Sequence, residues 1–113
     1  MREPTFWILT ALVDQPRHGY GVIQQVTRLS DGETRLLAAT LYAALDRLAA
    51  EGLVEVDREE AVDGRLRRYY RLTDSGGAAL AAETQRLSRK VATATRLLDV
   101  LRPPAGPATV AFG

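Results

Sequence analysis

The apolar residues of this chain change period once in each direction, and that switch limits the fold more than any other feature. Up to Leu48 they recur at spacings of three and four, the repeat of a helix with one buried face. From Val54 to Leu72 they alternate with polar residues, the repeat of a strand with one covered side. After Thr73 the helical spacing returns.

Within that frame the elements follow in order. Phe6, Leu9, Leu12 and Val13 predict a first helix over 3–14, stopped by Pro16. Tyr20, Ile23, Val26 and Leu29 predict a second over 19–29, closed by Ser30-Asp31-Gly32. Leu41, Leu45 and Leu48 predict a third over 38–51, with Gly52 where a left-handed cap belongs. Asp63-Gly64 is the turn of a β-hairpin, and Thr73-Asp74-Ser75 offers the N-cap of a long fourth helix over 74–102. The expected fold class is therefore mainly α with a small β-hairpin. It is a winged helix-turn-helix over 1–73, followed by a C-terminal dimerisation helix over 74–102 and a flexible tail over 103–113.

At 113 residues the chain holds a modest core, which leaves a long apolar helix in need of a partner. It has no cysteine and a single histidine, His18, which excludes disulfides, thiolate metal sites and a cysteine nucleophile. No metal or cofactor is expected. With no acid pair clustered near a pocket, no nucleophile and base can be assembled, so an enzyme is not expected either. The apolar stretch Phe6 to Val13 is too short to span a bilayer and lacks the flanks of a signal peptide, which predicts a cytoplasmic protein with no membrane partner.

Net charge is only +1, but its distribution is uneven. Six acids lie between Glu51 and Asp63 against one base, Arg58, whereas Arg65 to Arg71 holds four arginines and no acid. Strand alternation sets Arg65, Arg67, Tyr69 and Arg71 on one face. That row suits a phosphate backbone, or else it pairs across the hairpin with Glu55, Asp57 and Glu59. Arg65, nearest the tip, is the one expected to be free. On the third helix, Thr40, Ala43 and Arg47 share a face clear of the buried leucines, with Tyr42 and Asp46 beside them; this is either a base-reading face or an ordinary solvated one. On the fourth, Leu80, Thr84, Leu87, Val91, Ala94, Leu98 and Leu101 step alternately by four and three. Such a heptad seam either meets a second copy, or helix one across a two-fold axis, or packs within the chain.

Taken together, Pro16-Arg17-His18-Gly19-Tyr20, Thr40-Leu41-Tyr42 with Leu45 and Leu48, Glu51-Gly52-Leu53-Val54, and Gly64-Arg65-Leu66-Arg67-Arg68-Tyr69-Tyr70-Arg71-Leu72-Thr73 resemble the PadR family of transcriptional regulators over about residues 5–85. With one helix after the wing, the chain is similar to the short branch of that family. The resemblance implies a homodimer, built by the fourth and first helices, that binds double-stranded DNA at a palindromic operator, usually to repress. It implies DNA contacts at Tyr20, Thr40, Tyr42, Gly64, Arg65, Arg67 and Arg68, to which helix-face spacing adds Ala43 and Arg47. His18 falls in the turn before helix two and is expected to bond nearby backbone. Leu37-Ala38-Ala39 departs from the family's proline or glycine turn, so helix three either begins before Thr40 or is capped by it.

Some members of the short branch that the chain resembles bind flat aromatic compounds between tryptophans of the last helix. Here the single tryptophan, Trp7, is in helix one. The dimer interface lined by Phe6, Trp7 and helix four either holds an aromatic small-molecule effector or is packed without a pocket. The alternative to DNA binding is a winged-helix module that binds protein.

Overall fold

The computed structural model of the protein describes residues 1–102. The tail expected over 103–113 lies outside them. Four helices, α1 (Glu3–Ala11), α2 (Gly19–Leu29), α3 (Ala38–Ala50) and α4 (Asp74–Leu98), combine with a three-stranded antiparallel sheet of β1 (Arg17–His18), β2 (Val54–Val62) and β3 (Arg65–Leu72) in the order β1-β3-β2. A 3-10 turn over Asp99–Leu101 follows α4. The fold class is the expected one, with one strand added.

The chain divides into two units, Met1–Glu83 and Thr84 onward. The division falls inside α4 rather than at its start. Thr73 caps α4 by accepting from the Gly76 amide at 2.9 Å while its hydroxyl donates to the Gly52 carbonyl, and Leu80 is buried in the core. In the first unit Ile8, Leu9, Val22, Val26, Leu41, Leu45, Leu48 and Val54 are fully buried, and Tyr70 closes the core from the sheet. Burying each such side chain contributes roughly 1.5–3 kcal/mol against the entropy of ordering the chain.

The helix ends depart from expectation for local reasons. α1 stops at Ala11, three residues early, because the Arg17 guanidinium bonds the Ala11 carbonyl (2.9 Å) and pairs with Asp14, leaving Val13 exposed. α2 has the expected bounds, but its buried stripe is rotated. Val22, Gln25 and Val26 face inward while Tyr20 is exposed. The short β1 sets that rotation by tying Arg17 and His18 to Tyr70 and Tyr69 of β3. α3 ends at Ala50, one residue before the expected 51, and the Gly52 cap forms as expected at φ +77°, with the Leu53 amide bonding the Leu48 carbonyl.

Candidate nucleic-acid interface

Asp63 and Gly64 both adopt positive φ, 50° and 75°, the backbone of a two-residue hairpin whose twist matches its strands. Only glycine takes the second of these without strain. The turn sets Val62 opposite Arg65, Glu60 opposite Arg67, Glu59 opposite Arg68 and Glu55 opposite Arg71. Charge pairs on this register, with exceptions. Arg71 is held by Glu55 (2.6 Å) and Asp57, and Arg68 by Glu59 (3.2 Å). Hydrogen bonding to Tyr70, then to Glu59, keeps the Arg68 guanidinium above its ordinary range. Glu60 turns instead to Arg58, which also pairs with Asp57 and lies 4.0 Å over the Tyr69 ring. Arg65 and Arg67 therefore have no ion pair among the described residues. Of the arginine row read from alternation, Arg71 is neutralised and Arg65 and Arg67 are not.

These two arginines border an open groove of about 670 Å³ with Leu66, Arg68 and Tyr70 from the sheet, His18, Gly19 and Tyr20 from the start of α2, and Tyr42 and Asp46 from α3. His18 builds the groove's floor by capping α2: its Nδ1 accepts from the Gly21 amide at 3.2 Å, and its ring stands edge-on to Tyr69. Burial, and then the positive charge of Arg67, lower the His18 pKa below its ordinary 6.5 and keep the ring neutral, the form that can accept. At Gly19 a Cβ would overlap the Tyr42 hydroxyl, so only glycine lets α3 lay this ring across the start of α2.

The remaining residues singled out in the sequence are distributed as follows. α3 begins at Ala38 after Leu37, which has no side-chain cap, so helical structure precedes Thr40 and the amides of the first turn have no intrahelical partner. Thr40 and Ala43 are exposed. Arg47 does not line the groove; its guanidinium donates to the Thr5 hydroxyl at 2.9 Å, drawn there by a side chain far away in sequence. Phe6 and Trp7 are half-buried and meet edge-on at 5.3 Å, with the indole N–H donating to Glu3 at 3.4 Å. Of the seam, Leu80 is buried and Leu87 half-buried, whereas Thr84, Val91, Ala94, Leu98 and Leu101 are exposed. His18, Gly19, Glu59, Leu66 and Tyr70 join the groove without having been predicted as contacts, and Asp46, read in sequence as lying beside the α3 face, lines it too; the pairing of β1 with β3 is what brings His18 to the hairpin. Among the described residues no three His, Asp or Glu side chains are grouped to hold a metal ion, and no helix is long and apolar enough to cross a membrane.

Residues 8–82 match the Transcriptional regulator PadR-like family. The chain belongs to that family. This PadR-like chain is 40% identical over 80 residues to the transcriptional regulator Rv3488 of Mycobacterium tuberculosis, covering 71% of each. It is 32% identical over 74 residues to an uncharacterized protein X of Lysinibacillus sphaericus, covering 66% of this chain and 68% of that one. A PadR family transcription regulator from Clostridium difficile superimposes at a TM-score of 0.70 with 25% identity, over 83% of this chain and 96% of that one. Bacillus subtilis PadR, solved in complex with operator DNA, shares the fold at a TM-score of 0.66 and 23% identity, over 74% of this chain and 47% of its own. The PadR-like chain is thus a transcriptional regulator rather than an enzyme.

Proposed function

We propose that the chain binds a palindromic operator as a homodimer and represses transcription by occupying it. α3 enters the major groove, and the hairpin lies along the adjacent phosphates. The observation that carries this reading is the groove in which Arg65 and Arg67, unpaired in a hairpin whose other arginines are neutralised, stand across from α3. Two further features support it. The uncapped start of α3 offers free amides at the positive end of a helix, where a phosphate is stabilised. Tyr20 and Tyr42, both exposed, border the same groove.

The proposed contacts are Tyr20, Thr40, Tyr42, Ala43, Gly64, Arg65, Arg67 and Arg68. Arg47 is assigned to anchoring α1 through Thr5 instead. Dimerisation is proposed through α4 and the turn after it, where Val91, Leu97, Leu98 and Leu101 are each 60% or more exposed in the single chain. The operator of the Bacillus subtilis protein makes a DNA site the natural expectation here.

The test is titration of the purified protein against the DNA upstream of its own gene, at two salt concentrations and with excess competitor DNA. Tight, competitor-resistant binding at two chains per site is expected. Binding that competitor DNA abolishes there, and on every promoter tried, would favour a protein-binding winged helix.

A further inference from the structure

Asp46 is the only acid lining the groove that lacks a partner. The other, Glu59, is bonded to Arg68, whereas the exposed Asp46 carboxylate has no hydrogen bond or ion pair among the described residues. Its position on α3 is specific. Leu41, Ala44, Leu45 and Leu48 are buried, and at roughly 100° per residue Ala39, Ala43, Asp46 and Ala50 form the ridge directly opposite. Three of those four side chains are methyl groups, so Asp46 is the longest group on the ridge that would approach a duplex most closely.

An unpaired carboxylate facing phosphates would oppose binding. The same carboxylate facing base edges can accept a hydrogen bond, and the donors there are the exocyclic amino groups of cytosine and adenine. Adenine's amino group is flanked by the N7 acceptor, which repels a carboxylate, while cytosine presents its N4 amino group without one. We propose that Asp46 is a specificity-determining residue that accepts a hydrogen bond from cytosine N4 once in each half-site.

This inference rests on the DNA-binding reading above, and its test separates the two. Sites are selected from random duplexes by the full chain and by its D46A and D46N variants. The expected result is a wild-type motif with one half-site cytosine, preferred by about tenfold, whose preference D46A loses and D46N, which keeps an acceptor and gains a donor, shifts toward adenine, while the rest of the motif persists. Replacing that cytosine by 2-pyrimidinone, which lacks the amino group, should weaken the wild type by a similar factor and leave D46A unaffected. Variants that bind every duplex more tightly with unchanged base preferences would overturn the proposal, because the carboxylate would then be acting only as a repulsive charge. A wild-type chain that enriches no motif would overturn the DNA reading itself.

Discussion

Two adjacent residues, His18 and Gly19, hold the groove in shape. The cap that His18 gives α2 needs an unprotonated Nδ1, and its pKa is lowered in the folded chain. A lowered value means that the unfolded chain takes up the proton first. The stabilisation is therefore complete above about pH 6.5 and is lost as pH falls through the lowered folded value. In H18N an asparagine can cap without titrating, so the wild type should lose stability relative to it as pH falls from neutral through the lowered His18 value, read as a diverging thermal midpoint. A second prediction concerns Gly19. G19A forces the Tyr42 ring off the start of α2. It should weaken operator binding by about tenfold, the effect of roughly 1.4 kcal/mol, in filter-binding or anisotropy titrations, with helical circular dichroism unchanged.

At the level of elements, the hairpin sorts its own charges. Arg58 draws Glu60 away from Arg67, which the register sets directly opposite. R58A should free Glu60 to pair with Arg67 and weaken DNA binding severalfold, and adding E60Q should restore most of the loss; a double mutant as weak as the single one would show that Arg58 contributes only its own charge. R65A, which breaks no ion pair, should lower the slope of log affinity against log salt by about one unit for all sequences alike. The hairpin was legible in sequence because Asp63-Gly64 and the alternation of its strands are local signals. Strand β1 was not, since Arg17 and His18 have no period of their own and are defined only by Tyr69 and Tyr70 far along the chain. Arg47 escaped for the same reason. Helical spacing sets it beside Thr40 and Ala43, and only the approach of α1 brings Thr5 within reach.

For the whole molecule, the decisive variable is what α4 meets. L87E and V91E, both beyond the Met1–Glu83 unit, should leave that unit folded, convert the proposed dimer to a monomer in sedimentation and abolish binding to the proposed operator. A variant that still sediments as a dimer would remove α4 from the interface. The order of the helices and the hairpin was readable from periodicity, because the apolar repeat shows in the sequence whether its stripe is buried in the single chain, as in α3, or left exposed, as over most of α4. The rotation of α2 was not, since it depends on strand pairing.

The ion pairs of the hairpin also bear on competition for binding sites. A genome offers roughly 10⁶–10⁹ non-specific positions to every copy of a regulator, and attraction to them grows with the number of cations free to displace counterions. With Arg58, Arg68 and Arg71 already paired with acids, the hairpin itself presents only Arg65 and Arg67 unpaired among the described residues to random sequence. In the proposed repressor, weaker attraction to random sequence would leave a larger share of a small protein pool free to find its operator.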